Sequence, residues 1–475
     1  MDSRPNLLPI PKRSPGQKAN TPEAIEQPAR EALAIDIVRQ LRAAGHKAYL
    51  VGGCVRDRLL GIAPKDYDVS TDAAPPEILS LFPRSQTAGA HFGVVLVTRS
   101  KGVQVEVATF RSEGAYSDGR RPDAVRFETD PALDAQRRDF TINGLLEDPL
   151  SGEILDYVGG RSDLDAGIIR AIGRPEQRFE EDHLRMLRAV RFAARLGFSI
   201  EPATLDAIRR LAPAICKISA ERVRDELIRI LTEGGASRGL QLLDNSGLLL
   251  PLLPEVKAFQ GVQQPPEFHP EGDVWTHVLL MLEHLHHPTP TLAFGVLFHD
   301  AGKPPTFRIA DRIRFDGHAE VGAEMTRRRL SQLKLPNEDV EQVTSLVANH
   351  MRFKDVHQMR VSTLKRFLRL PHFDEHLELH RLDCLASNGR TDSYEYVRAK
   401  LAEFSREELR PARLISGRDL LAAGYKAGPQ FGRALEAVET AQLEGEIRSR
   451  EEALALARSV LDSTETSPDS SSSAR

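Results

Sequence analysis

Between about residue 30 and residue 165 the apolar positions fall in short runs with a period of two, as in KAYLVGG, FGVVLVTR and VQVEVATF, with Gly and Pro between them. Such alternation predicts half-buried strands broken by turns. One longer segment, AREALAIDIVRQLRAAG, repeats its apolar residues every three to four positions and predicts an amphipathic helix. Beyond Asp165 that helical spacing takes over and persists through HLRMLRAVRFAARLGF, AERVRDELIRILTEG, VWTHVLLMLEHLHH and EALALARSVL. The pattern predicts an α+β chain, with a small mixed sheet and its helices first and an all-α remainder after it. The chain holds no solenoid repeat at a fixed period.

At 475 residues the chain can form several compact units without staples. Its three cysteines, Cys54, Cys216 and Cys384, are odd in number and far apart, which argues against a disulfide framework and for a reducing compartment. The N-terminal stretch is basic and Pro-rich without a continuous apolar run, so neither a secretory signal nor a membrane span is expected and a cytoplasmic location follows. Residues 1–28 and 462–475 are polar and low in complexity, and are expected to be disordered. The net charge of −4 excludes a chain that coats nucleic acid with its whole surface. It still allows a local basic groove, and arginine is dense between Arg170 and Arg210, although solvated helix faces produce such density as readily.

Candidate chemistry begins where the strand YLV runs into Gly52 and Gly53 and then into CVRDRLLG. A glycine turn opening a helix offers backbone amides to phosphate, and Arg56 in the first turn can add charge-assisted bonds. Two glycines at a strand end are more often only a turn. KDYDVST, a few residues on, places Asp66 and Asp68 two apart on a predicted strand, so alternation puts both carboxylates on one face. Like charges that close are costly unless cations lie between them, and paired Mg²⁺ ions suit in-line displacement on a nucleoside triphosphate. VQVEVATFR offers Glu106 as a third acid on a neighbouring strand, with an ordinary polar strand position as the alternative.

YLVGGCVRDRLLG, KDYDVST, RRDFTINGL and EEDHLRMLRAVRF, in that order, resemble the signature series of the class II tRNA nucleotidyltransferase and bacterial poly(A) polymerase family. The resemblance spans about residues 30 to 260 and implies a mixed α/β head followed by a helical neck and body. It implies that Gly53 and Arg56 bind the incoming nucleotide, that Asp66 and Asp68 hold the metals, and that Arg138 with Asp139 meets the sugar and phosphates. It also implies that Arg188 and Arg191 contact the nucleotide, and that TFRSEGAYSDGRRPDAVRF is a flexible loop tied to addition of the final A, with Arg111, Arg120 and Arg121 as its charged parts. By itself that Gly-rich, basic segment reads as a mobile surface loop.

In EEDHLRMLRAVRF, helical spacing aligns Asp182, Arg185 and Arg188 on one face. The plain reading is an ion pair on a solvated helix. The sharper one follows from donor and acceptor inventory: a carboxylate only accepts and a guanidinium only donates. Together they match the amino donor and ring-nitrogen acceptor of cytosine and adenine, and mismatch uracil and guanine. The pair would thus select CTP and ATP without a template, and reject wrong bases by leaving buried groups unpaired. The poly(A) polymerases of the family carry a more basic stretch where this chain has TAGAHFGVVLV, which favours the tRNA 3' end as acceptor. Recognition of the acceptor stem is expected to rest on shape and backbone.

The second half supplies His277, His299-Asp300, His318, His350 and Asp383, in the order of the HD phosphohydrolase superfamily, which this part resembles. Imidazoles and carboxylates from successive helices can converge on one or two divalent transition metals that activate water for phosphoester hydrolysis, and Lys303 could neutralise a phosphate. A degenerate helical platform is the alternative. The expected domains are a head at 29–165, a neck and body at 166–260, an HD domain at 261–400 and C-terminal helices at 401–461. The leading expectation is addition or repair of the 3'-terminal CCA, or of its terminal A, from CTP and ATP with release of pyrophosphate, with poly(A) synthesis, an HD hydrolase with a vestigial head, and a non-catalytic RNA-binding module as competitors. The sequence indicates no protein partner.

Overall fold

The computed structural model describes residues 22–87, 93–99, 102–114 and 124–465. Most of the two segments expected to be disordered lies outside the described residues; residues 22–28 and 462–465, expected to be disordered as well, are instead helical because they continue the helices Pro22–Ala43 and Arg450–Glu465. The chain divides into two compact units, one reaching Ala193 and including Gly197–Leu211, the other made of Ala194–Leu196 and Ala212 onward.

The first unit is built on a seven-stranded mixed sheet. Helix α1 (Pro22–Ala43) buries Leu33, Ala34, Ile37, Val38 and Leu41, a stripe at helical spacing that packs on the sheet. Strand β1 (Ala48–Val51) leads through Gly52 into α2 (Gly53–Leu59), followed by β2 (Asp68–Thr71) and α3 (Pro75–Leu81). The edge strand β3 (Ser85–Thr87) and its neighbour β4 (Val94–Thr98) then precede β5 (Gln104–Thr109). On β5, Val105, Val107 and Thr109 are buried while Gln104 and Glu106 are exposed, the expected alternation. A separate hairpin of β6 (Arg111–Glu113) and β7 (Val125–Phe127) is followed by α4 (Pro131–Gln136), β8 (Leu146–Glu147) and β9 (Ile154–Leu155). The sheet order is β3-β4-β5-β2-β1-β8-β9, and the pair β2 and β5 is parallel among otherwise antiparallel neighbours. Helices α5 (Gly160–Ala166), α6 (Pro175–Glu181) and α7 (Leu184–Leu196) follow.

The second unit is helical, and the fold class expected from the pattern is the one found. Two very small sheets, Ile168–Ile169 with Ser199–Ile200 and Arg308–Ile309 with Ile313–Arg314, interrupt the stretch read as all-α. They are two residues long, too short for periodicity to register. In the second unit the helix Pro290–Phe298 is buried from Leu292 through Phe298, so it forms a central rod. Its C-cap is His299, which delivers His299 and Asp300 to the middle of the unit. A Cβ on Gly302 would lie 2.0 Å from the His318 carbonyl oxygen, so only glycine lets the segment after Asp300 lie against the helix His318–Gln332.

Candidate functional site

Two clusters of chemistry-bearing side chains emerge, one in each unit. In the first, parallel pairing of β2 with β5 sets Asp68 beside Glu106, and antiparallel pairing of β1 with β2 sets Val51 opposite Asp68. The glycine turn after Val51 therefore opens at the same sheet end as the two acids. Asp66 is not on the strand, contrary to expectation: β2 begins at Asp68 because β1 turns away at Gly52, leaving Asp66 no partner strand. Its side chain is 79% exposed and pairs with Arg30 at 3.1 Å.

Burial and the adjacent Glu106 push the Asp68 carboxyl up to about 6, with Arg138 opposing and Asp66 adding to the rise. An acid so disfavoured as an anion is uncompensated negative charge, which is the condition a divalent cation relieves. Carboxylate oxygens are donors that suit Mg²⁺, although Asp66, Asp68 and Glu106 do not gather their oxygens within 4.8 Å of one another in this structure. Gly52 has φ +76°, and a Cβ there would be 3.0 Å from Arg138 Nη1, so the turn rests on that guanidinium. Arg138 Nη2 donates to Asp134 Oδ2 (2.9 Å) and to Ser70 Oγ (3.3 Å), while its buried Nε has no hydrogen-bond partner among the described residues.

Arg56 is almost wholly buried and donates to Asp57 Oδ1 (2.8 and 2.6 Å) and to Asn143 Oδ1 (2.6 Å). Asn143 in turn donates to Asp139 (3.0 Å), which also accepts from Arg188 at 2.8 and 2.6 Å. Burial alone would raise the Asp139 carboxyl, yet Arg188 and Asn143 hold it well below the usual carboxylate range. Asn143 was missed by sequence reasoning; its place four residues after Asp139 was the available signal. Phe192 was missed as well. The guanidinium carbons of Arg191, Arg56 and Arg188 lie 4.3, 4.9 and 5.3 Å from its ring centre.

Asp182 does not share a helix with Arg185 and Arg188 as expected. It ends α6 in extended conformation (φ −150°, ψ 103°), and its Oδ1 accepts from the Leu184 amide (3.0 Å) to start α7. Short polar side chains compete for backbone amides in this way, so an Asp between helical runs breaks them more readily than it continues them. Arg185 pairs with Glu181 (2.6 Å) and donates to the Arg178 carbonyl (3.1 Å). Arg111 is likewise in strand β6 rather than in a loop, because residues 111–113 pair with 125–127. Arg120 and Arg121 lie outside the described residues.

In the second unit His277, His299, Asp300, His318, His350 and Asp383 come together. One group joins His277, His299 and Asp383, another Asp300, His318 and His350, with ligand atoms within 4.8 Å in each. His299, His318 and His350 each direct Nδ1 at a backbone carbonyl three residues back, at 2.9, 2.8 and 2.7 Å. That fixes the proton on Nδ1 and leaves the Nε2 lone pairs inward, where those of His318 and His350 face each other at 3.2 Å. His277 Nε2 and Asp383 Oδ1 are 3.1 Å apart, yet Nε2 makes no hydrogen bond of acceptable geometry, and the same is true of buried His299 Nε2 and Asp300 Oδ2. Close lone pairs without hydrogen-bond geometry fit convergence on a cation. Burial opposes the charged form of His277, while Asp383 and Glu271 favour it. Lys303 sits 2.7 Å from Asp300 and donates to Gln264 (2.6 Å), so its charge is already engaged. Glu271 and His269, which touch His277's side of the cluster, were not anticipated.

Residues 48–170 match the model of the poly(A) polymerase head domain, 197–260 that of the probable RNA- and SrmB-binding site of polymerase A, and 318–457 that of the putative tRNA nucleotidyltransferase domain 2. The CCA-adding enzyme of Lactobacillus johnsonii is 31% identical over 430 residues, covering 89% of this chain and 95% of that one. The chain belongs to the CCA-adding enzymes. The CCA-adding enzyme of Geobacillus stearothermophilus is 43% identical over 224 residues, 47% of this chain and 54% of its own. Among solved structures, the Bacillus stearothermophilus CCA-adding enzyme in complex with CTP superposes with a TM-score of 0.69 at 28% identity, over 91% of this chain and 97% of that one. The Thermotoga maritima CCA-adding enzyme shares the fold, with a TM-score of 0.55 at 19% identity over 93% and 98% of the two chains. As a CCA-adding enzyme the chain is a nucleotidyltransferase. Among its described residues no helix is long and apolar enough to cross a membrane.

Proposed function

We propose that the chain completes or repairs the 3'-terminal CCA of tRNA from CTP and ATP, releasing pyrophosphate, and that its second unit hydrolyses phosphoesters. The observation that carries the first reading is the Asp68 and Glu106 pair across β2 and β5, at the mouth of the Gly52 turn and beside Arg138. Asp66, Asp68 and Glu106 would hold Mg²⁺, which when bound activates the acceptor 3'-hydroxyl and offsets triphosphate charge. The chain's own groups do the rest. Arg138, whose buried Nε has no hydrogen-bond partner among the described residues, binds and orients phosphate or sugar oxygens. The Gly52 amide donates to the Leu145 carbonyl (3.2 Å), so the amides that would meet phosphate are those opening α2. Asp139 orients Arg188 rather than meeting the nucleotide directly, and Asn143 ties both to Arg56. Asp182 and Arg185 supply the acceptor and donor that choose cytosine and adenine.

The second reading rests on the inward Nε2 atoms of the HD-type cluster. His277, His299, Asp300 and Asp383, with His318 and His350, would hold a divalent transition metal, which supplies a water of lowered pKa for attack on phosphorus. Phosphate esters of nucleotides or RNA ends are the substrate class.

The test supplies tRNA ending before CCA, tRNA ending in CC and an unrelated RNA with each nucleoside triphosphate alone and together. Addition that stops at CCA supports the reading. A chain that extends only the CC-ending tRNA is an A-adding enzyme, and long A tails on any RNA identify a poly(A) polymerase. For the second unit, manganese- or cobalt-supplemented hydrolysis of p-nitrophenyl phosphate esters should vanish in His299→Ala; survival there rules the cluster out.

A further inference from the structure

We infer that Glu271, backed by His269, is a positioning residue that fixes the protonation and orientation of His277 for metal binding in the second unit; the inference rests on the metal reading of that cluster. Four histidines face the cluster, and three of them are oriented alike. His299, His318 and His350 each give Nδ1 to a neutral backbone carbonyl of their own chain segment. His277 alone gives Nδ1 to a carboxylate, Glu271 Oε1, at 2.7 Å. The same oxygen lies 2.9 Å from His269 Nδ1, and the two imidazoles meet edge to face with centres 5.0 Å apart. His277 is fully buried and the Glu271 side chain is 7% exposed, so these bonds are made away from bulk water, where their strength is greatest.

The second oxygen of this buried carboxylate has no hydrogen-bond partner among the described residues, which is costly. The local fold holds it in place. Asp273 caps the helix Val274–Glu283 through the Thr276 amide (2.9 Å) and accepts from the Gly261 amide (2.7 Å), while the Val274 amide donates to the Val262 carbonyl (3.1 Å). The loop from 262 to 273 is thereby closed at its base, and Glu271 is presented to the first turn of the helix that carries His277.

The chemical consequence follows from the charge. A carboxylate on Nδ1–H keeps the proton there, frees Nε2 toward Asp383 and the cluster, and makes the imidazole a stronger donor than a carbonyl-bound one. His269, on the outer side of Glu271, holds the carboxylate in line.

The full-length chain, stripped of metal by a chelator, is titrated with Co²⁺ while its d–d absorption is followed, and the affinity is measured by competition with a chromogenic chelator. Wild type, Glu271→Gln, Glu271→Ala and His299→Ala are compared, with the melting temperature of each metal-free form and its tRNA nucleotide incorporation. Glu271→Gln should bind Co²⁺ about 10- to 100-fold more weakly, with an altered d–d band, while metal-free melting and incorporation stay at wild-type levels. Glu271→Gln keeps volume and one acceptor, so it decides the matter if Glu271→Ala folds poorly. Unchanged affinity and spectrum in Glu271→Gln, alongside tight wild-type binding that His299→Ala abolishes, overturn the inference alone. If wild type fails to bind, or His299→Ala binds as well as wild type, the metal reading falls and the inference falls with it.

Discussion

At the scale of single residues, the first site depends on how closely backbone and charge approach each other. Gly52 serves two needs at once, a left-handed backbone and room for Arg138 Nη1 at 3.0 Å. Gly52→Ala is expected to cost about 1 kcal/mol or more of stability from the backbone alone. By displacing Arg138 it should also lower kcat/KM for nucleotide incorporation about 10-fold or more, as measured by steady-state kinetics. A glycine that served only the turn would lose stability and keep its kinetics. The acids Asp66, Asp68 and Glu106 were legible as residue types. That Asp66 stands outside β2 and leans on Arg30 was not, because it depends on where a neighbouring strand ends.

At the scale of elements, α7 carries Arg185, Arg188, Arg191 and Phe192, and the last of these gathers three guanidinium groups on its ring. Phe192→Leu preserves most of the volume and removes the ring quadrupole. It should destabilise the first unit by about 1–2 kcal/mol in urea unfolding and weaken CTP and ATP binding together, leaving base preference intact. A change in preference between the two nucleotides would assign Phe192 a role in base choice instead. The helix Phe373–Ala386 offers a pH test. His376 is buried, its Nδ1 has no partner among the described residues, and burial followed by Arg352 lowers its pKa from 6.5 to about 4. The fold therefore prefers the neutral ring, so this contribution is complete above about pH 6.5 and is lost as pH falls toward 4. The loss amounts to about 3 kcal/mol at most. Urea unfolding from pH 7.5 down to pH 4.5 should show a shallower slope in His376→Gln than in wild type, the remainder coming from other buried histidines such as His350 and His380. Helical periodicity marked α7 correctly in kind, but it ran Asp182 into that helix. The competition between a capping side chain and the helix ladder is decided by local geometry that spacing alone does not express.

At the scale of the whole molecule, the two clusters lie in separate compact units of one chain, so their chemistries should be separable by single substitutions. Asp68→Asn removes a charge from the first cluster and should lower nucleotide incorporation by about 10³-fold or more while leaving phosphoester hydrolysis unchanged. His299→Ala should do the reverse, measured on the same preparations with labelled CTP and with a phosphate ester. Loss of both activities in either variant would refute their independence.

What the sequence determined by itself is set by local periodicity and by residue type: the strands YLV, VVLVT and QVEVAT, the helical second half, and the presence of the acids and of the histidine series. These are legible because hydrophobic spacing records which face of an element is buried, and because few side chains can hold a divalent cation. Tertiary structure alone decided the rest. Glu106 meets Asp68 through a parallel register between strands distant in sequence, Arg111 pairs across a hairpin whose other leg begins at Val125, and Glu271 reaches His277 because a closed loop returns it to the helix. Each of these depends on where a strand ends or a loop closes, and that is set by the competition of packing contacts rather than by residue type or periodicity.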